Sequence, residues 1–363
     1  MQKLFLFTIA IAIGLVACDK KSDLVGDTDS SVRSKAPVSN NIRYFENYEQ
    51  LSEEIDRTIS MSLEQLCAYE AELDFNSFGK LADLAYEEVA KYEDDYKNIA
   101  EVKAAIANFP EYLQLIEDEE MGTSVETKLY QRITKYVINE EKMYQVNDSL
   151  IKILENGLIQ TSVNKYKELL SINEENVLEF LEDENFKILL DNFYGSSGDN
   201  WGLEGNPHNY PLANHLGKYK MNENVKTIKV DGRNRDHRLR VKVRIDFISY
   251  TKEKLSYEFE SRRKGIWNGA WWGFGQPVKF DLNVTIAQGS AGQQVHDMPN
   301  LPKYVNSGTA SSYNNKYEHI GYFFYNGYVV SDLDGNRNVF LRTRGYAHFT
   351  GYASSVYVPF DFN

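Results

Sequence analysis

The stretch Arg262-Arg263-Lys264-Gly265 runs into Trp267, Trp271, Trp272 and Phe274, spaced by Gly269, Gly273 and Gly275, and holds three of the four tryptophans in the chain. Glycines let a loop present flat aromatic faces, and such faces beside cations stack on sugar rings or hold an anionic group. The competing reading is that these rings fill a sheet core, where tryptophan is usually found. A second cationic set is Arg238, Arg240, Lys242 and Arg244, whose alternation puts four positive charges on one face of a strand. That face reads as a site for an anionic partner. Alternatively, Glu258 and Glu260 on the next strand lie opposite two of the cations and neutralise them, or the basic strand is attracted to an acidic body elsewhere in the chain.

No other residue set carries a recognisable chemistry. There is no His-Glu-x-x-His, no Gly-x-Ser-x-Gly and no phosphate-binding glycine loop. The histidines at 208, 215, 237, 296, 319 and 348 are scattered, and the His208 and His215 pair reads as solvated loop residues rather than metal ligands. Asp332, Asp334, Gly335 and Asn336 lack the bidentate glutamate of a calcium loop and fit a hairpin turn. The expectation is therefore no metal, no cofactor and no catalytic residue, with a hydrolase assembled from unrelated loops as an alternative. The protein reads as a binder of a glycan or another extracellular ligand, with a structural or assembly role as the other alternative.

The N-terminus fixes an address. Lys3 precedes an apolar run from Leu4 to Val16, thirteen residues, which is too short to span a bilayer as a helix and suits the core of a signal peptide. The run ends in Leu15-Val16-Ala17-Cys18, which resembles the lipobox of bacterial lipoproteins. That resemblance implies cleavage after residue 17, acylation of Cys18 and a membrane partner reached through lipid. Several acyl chains, at ~0.8 kcal/mol per buried methylene, make such attachment effectively permanent.

The elements that position the candidate residues follow from composition and period. Residues 18–41 are rich in Ser, Asp, Lys and Asn and read as a tether. Residues 42–194 read as a mainly helical, acidic domain, with Leu51, Ile55 and Ile59 at helical spacing, as are Leu81, Leu84, Ala85 and Val89. Ser62 and Gln65 form a capping box, and residues 135–162 suggest a small hairpin. Residues 195–217 are dense in turn formers and read as a linker. Residues 218–363 then alternate with period two, at Leu239 to Phe247, Leu255 to Phe259, Val278 to Ile286 and Val356 to Phe362, with Pro359 confining the last strand to an edge. The fold class expected is α+β: a helical N-terminal domain followed by an antiparallel β-sandwich-like domain.

Charge divides at the same place. Residues 1–217 hold 19 Lys and Arg against 40 Asp and Glu, a net of −21, and residues 218–363 hold 21 against 13, a net of +8. A chain of net charge −13 that carries an export signal is not a nucleic-acid binder. Of its two cysteines, Cys18 is committed to lipid, so Cys67 has no intramolecular partner and reads as a small buried residue.

The segments Arg43-Tyr44-Phe45-Glu46-Asn47-Tyr48-Glu49-Gln50-Leu51, Met61-Ser62 and Phe75-Asn76-Ser77 resemble lipoproteins of gut Bacteroidetes in families of unknown function. Tyr136-Val137-Ile138-Asn139 with Tyr144-Gln145-Val146-Asn147-Asp148 is similar to a hairpin common in that group. The resemblance covers residues 43–155. It implies a Gram-negative envelope lipoprotein, often exposed on the cell surface, and brings no catalytic residues; the attachment expected is to the outer membrane, with the surface and the periplasmic face both open.

Overall fold

The computed structural model describes residues 37–39, 41–118, 122–129, 133–155, 157–190, 219–230, 233–249, 252–274, 277–290, 303–311, 318–322, 338–351 and 355–362. The signal peptide, Cys18, most of the tether and all of the expected linker at 195–217 lie outside these residues, as do His208, His215, His296 and the turn at 332–336.

Four helices open the described chain, each started by a side chain that accepts from the free N–H groups of the first turn. They are α1 (Tyr48–Ser60), capped by Asn47; α2 (Leu63–Glu72), capped by Ser62; α3 (Phe78–Ala90), capped by Ser77; and α4 (Ile99–Ile106), capped by Asn98. The capping box is present: the Gln65 amide donates to Ser62 Oγ at 3.2 Å, and the Ser62 amide to Gln65 Oε1 at 2.9 Å. Leu51 and Ile55 are fully buried, as the spacing requires. In α3 the expected period holds but its phase is shifted. Phe78, Ala82, Ala85, Tyr86 and Val89 face inward, whereas Leu84 is exposed. The first turn of α3 docks on a distant segment, since the Phe78 and Gly79 amides donate to the carbonyls of Ile138 and Lys135 at 2.9 and 2.7 Å.

After α4 the chain is mostly strand, so the expected helical domain over 42–194 is replaced by helices followed by two sets of strands. The first set, β2 (Leu113–Asp118) and β3 (Gly122–Thr127), is taken up below. The second comprises β4 (Met143–Val146), β5 (Ser149–Leu154), β6 (Gly157–Ser162) and β7 (Lys187–Leu190). With β1 (Tyr44–Phe45) these form a five-stranded sheet in the order β1-β4-β5-β6-β7, parallel only where β1 meets β4. The hairpin expected within 135–162 is β4–β5, turned at Asn147 in the left-handed region (φ 51°), a conformation asparagine tolerates. Between β6 and β7 lies α5 (Tyr166–Ser171), and the buried Lys152 ammonium closes its C-terminal end by donating to the carbonyls of Leu169, Leu170 and Ile172. That satisfies carbonyls a helix end leaves unpaired.

The later strands are β8 (Tyr219–Val230), β9 (Arg233–Ser249), β10 (Lys252–Lys264), β11 (Trp271–Gly273), β12 (Pro277–Ser290), β13 (Lys303–Ser311), β14 (Glu318–Tyr322), β15 (Asn338–Thr350) and β16 (Ser355–Phe362). One seven-stranded sheet runs β2-β3-β11-β10-β9-β8, with β14 also paired to β10. A four-stranded sheet runs β13-β12-β15-β16, which leaves β16 and its Pro359 at an edge, as the sequence reading requires. The class is α+β.

Strands β2 and β3 come from the N-terminal half, yet they extend the sheet of β8–β11 through Ser124 opposite Trp271. Ser34–Asn363 forms one compact unit, and the linker expected at 195–217 lies outside the described residues. Its largest apolar core joins the two sheets, with two further clusters, one around Trp272 and Tyr86 and one around Phe186 and Leu169. Leu239, Val241, Tyr257 and Phe259 of β9–β10 share the largest core with Leu282, Phe349 and Val358 of the four-stranded sheet and with Leu51, Ile55 and Ile151. Tyr257 and Phe259 each lie within 5.6 Å of the Phe349 ring. At the margin, Asn222 and Asn224 of β8 donate to the carbonyls of Tyr357 and Ser355 at 3.0 Å, tying one sheet to the edge of the other.

Candidate functional site

The basic strand face is interior. Arg238, Arg240, Lys242 and Arg244 are 1%, 7%, 9% and 8% exposed, so the face is not an open site for an anionic partner. The antiparallel register of β9 and β10 sets Glu258 opposite Lys242 and Glu260 opposite Arg240, the cross-strand arrangement that neutralises charge. Glu260 is the centre of the layer. Its Oε2 accepts from Arg262 Nε at 2.7 Å, and its Oε1 lies 3.0 Å from Arg240 Nη1 and 3.4 Å from Arg238 Nη2. Two further carboxylates balance the three guanidiniums. Glu223 of β8 lies 3.0 Å from Arg240 Nε, and Glu126 of β3 lies 3.6 Å from Arg262 Nη2. Burial pulls the Arg238 guanidinium below its ordinary value, and Glu260 pulls it back up. Arg262 Nη1 also donates to the Val125 carbonyl at 2.7 Å, so this side chain, itself fully buried, clamps β3 to β10.

The tryptophan-rich segment between β10 and β11 is a tight loop built around Asn268. The Gly265 amide donates to the Ala270 carbonyl at 2.8 Å and closes the loop. A Cβ on Gly265 would sit 2.4 Å from Asn268 Oδ1, and Gly269 takes a φ of +71°, so both positions require glycine. Asn268 is buried and uses its whole amide. Nδ2 donates to the carbonyls of Glu93 and Tyr96, and Oδ1 accepts from the Ala270 amide and from Trp272 Nε1. Trp272 is fully buried and stacks on Tyr96, with centroids 5.9 Å apart and planes inclined by 17°. Next to it the Gly273 amide donates to the Tyr86 hydroxyl at 2.7 Å, and burial pushes the Tyr86 phenol up to about 12.

The six residues expected to form one ligand-facing patch are therefore divided between core and surface. Trp271, Trp272 and Arg262 are interior, and the guanidinium of Arg238 lies 4.8 Å over the Trp271 ring. Arg263 is half-buried, paired with Glu93 and set over the Phe274 ring. Only Trp267 and Lys264 stand in solvent. Trp267 is 59% exposed, with Lys97 Nζ 5.8 Å from its ring centroid. Lys97 is 170 residues away in sequence and could not have been picked out; the Asn268 bonds to the carbonyls of Glu93 and Tyr96 bring its segment to the loop.

Behind the loop, His237 is 2% exposed, and its ring packs edge-on against Phe274 at 4.8 Å. Its Nε2 has no hydrogen-bond partner among the described residues. Cys67 is half-buried and makes no disulfide, and burial raises its thiol. Among the described residues no group of three His, Cys, Asp or Glu side chains could hold a metal ion, and no helix is long and apolar enough to cross a membrane.

Comparison with known proteins adds little. No family model matches the chain, and no curated protein matches it. Among solved structures, a DUF4848 family protein from Bacteroides thetaiotaomicron is matched over 88% of this chain and 97% of that one, at 10% identity and a TM-score of 0.28.

Burial, followed by Arg263 and Arg235, lowers the His237 imidazole from its ordinary value. A folded value below the unfolded one means that the unfolded chain takes up the proton first, so stability falls as pH drops below about 6.5 toward the folded value. His237→Phe keeps the ring contact and removes the proton site. Urea unfolding of both proteins at a series of pH values between 7.5 and 5 should show the wild type losing stability more steeply than the variant. Parallel pH profiles would remove His237 from the account.

Proposed function

We propose that this protein is a lipid-anchored lipoprotein of the bacterial envelope that binds an extracellular glycan without transforming it. The observation that carries the binding half is Trp267, a large ring left more than half exposed on a loop whose neighbours are fixed by buried bonds. An aromatic side chain held in this way loses little conformational freedom on binding, which makes each contact more effective. Lys97 over its ring and the exposed Lys264, three residues earlier in the chain and set over the Trp271 ring, favour an acidic or neutral sugar. Cation–π help at an exposed site is worth only ~0.5–1 kcal/mol, so a single contact is weak. Many copies anchored to one surface supply avidity.

The anchoring half rests on the apolar run before Cys18 and on the likeness to Bacteroidetes envelope lipoproteins, with the outer membrane as the site of attachment. The apolar faces of the seven-stranded and four-stranded sheets meet in one core. We read that packing as a sandwich-like scaffold that holds the loop rigid.

Cys18→Ser should abolish incorporation of labelled fatty acid in growing cells. Acylation of that variant would refute the anchor.

For the loop, Trp267→Ala should lose retention on immobilised polysaccharides while its stability changes by no more than about 0.5 kcal/mol, the usual range for a surface substitution. Trp272→Ala should instead cost about 3–5 kcal/mol, because it empties a large buried site. Retention undiminished in the Trp267 variant would sink the loop as a binding element.

A further inference from the structure

The four-stranded sheet turns one face to the core and the other to solvent, and the outer face is not a plain polar surface. Alternation sends Val278, Leu282, Phe349 and Val358 inward. The register of β12, β15 and β16 then sets Asp281, His348 and Tyr357 side by side in one outward row, and Asn283, Tyr346 and Pro359 in the next. Tyr357 is 50% exposed, Asp281 and Pro359 are exposed, and Asn283, Tyr346 and His348 are partly so.

The two tyrosine rings meet diagonally across β15 and β16, with centroids 5.4 Å apart and planes inclined by 32°, and His348 stands edge-on to Tyr357 at 6.2 Å. The Tyr346 hydroxyl donates to Asp281 Oδ2 at 3.2 Å, which fixes the orientation of that ring from the neighbouring strand. Desolvation and this carboxylate raise the Tyr346 phenol, so it keeps its proton and its role as donor at neutral pH.

Exposed aromatic pairs across strands also support a sheet by packing on each other. What distinguishes this one is its surroundings. Two aromatic rings are bordered by a carboxylate, a carboxamide and an imidazole, a mixture of acceptors and donors beside apolar faces. A pyranose ring offers the complement: C–H groups on its faces and hydroxyls at its edge. Among the described side chains of this face the charges are Lys279 and Asp281, of opposite sign, so the face selects no net charge. Two rows of side chains running across three strands suit an internal stretch of an extended chain rather than a terminal sugar.

We propose that this face binds a neutral oligosaccharide chain, with successive pyranose rings stacked on Tyr357 and Tyr346 and their hydroxyls hydrogen-bonded by Asp281, Asn283 and His348. It deepens the glycan-binding reading but rests on residues that the tryptophan loop does not touch.

The test uses the full lipidated protein in detergent and titration calorimetry with cello-, xylo-, manno- and laminari-hexaose as probes. At least one hexasaccharide should bind. Tyr357→Thr, which keeps a good strand former on an exposed position, should weaken that binding by about tenfold or more with no change in melting temperature. Tyr357→Phe, which keeps the stacking surface, should stay within about twofold of the wild type. Unchanged affinity in Tyr357→Thr, or no binding of any hexasaccharide by the wild type, would overturn the inference. Retention on polysaccharide that is lost through Trp267→Ala but not through Tyr357→Thr would overturn it as well and leave the loop reading standing. The reverse pattern would remove the loop and keep the sheet.

Discussion

Glu260 is a carboxylate that is 1% exposed, held by Arg262, Arg240 and Arg238 at 2.7, 3.0 and 3.4 Å. Burying charge costs several kcal/mol per ion even after relaxation, and the cost is offset only when geometry and hydrogen bonding are good. One carboxylate cannot balance three guanidiniums, so Glu223 and Glu126 are needed as well. The first comes from β8 and the second from β3, which puts both halves of the sequence into one ionic layer. A slip of one residue between β9 and β10 would turn these charges into the apolar core, so the layer also specifies strand register. The sheet, the core between the two sheets and the two candidate surfaces all presuppose that register.

The strand pattern and part of this layer were legible in the sequence. Alternation marked β9, β10, β12 and β16, and once β9 and β10 are neighbours, Glu258 and Glu260 fall opposite Lys242 and Arg240. The Ser62 and Gln65 capping box is a local signal and appears as such. Glu126 was not legible, because its partnership with Arg262 depends on a sheet that joins strands more than 100 residues apart, and Glu223, only 17 residues from Arg240, lies on β8, a strand whose alternation was not marked. The same long-range pairing hid β2 and β3 inside a stretch whose acidic composition suggested helix. The tryptophans show a different limit. Glycine spacing indicates that a loop can expose rings, but it does not say which ones. Asn268 decides that by bonding Trp272 inward and tying the loop to the segment of Glu93 and Tyr96, so that Trp267 alone stays outside.

The tyrosine face of the four-stranded sheet was present in the sequence only as polar positions between apolar ones. Tyr346, His348 and Tyr357 become a surface when β15 and β16 pair, and Asp281 joins them through β12. A largely buried charged layer in one sheet and an aromatic outer face without net charge excess on the other assign different work to the two. The first holds the fold in one arrangement; the second leaves a rigid, flat area open to solvent. Under the proposed lipid tether, no deep cavity is needed to retain the proposed polymeric ligand, since many weak contacts on one membrane act together.

The central claim is that the layer around Glu260 joins both halves into one cooperative body. Denaturant unfolding of the wild type and of Glu260→Gln tests it when followed by two probes, tryptophan fluorescence for the sheet and hydrogen exchange of α1–α4 for the helices. Both probes should report one transition in the wild type, and in the variant both should move together by about 3–5 kcal/mol, the cost of breaking a buried pair by removing one partner. Two separate transitions in the wild type, or a loss below about 1 kcal/mol in the variant, the size of a surface pair, would contradict the account.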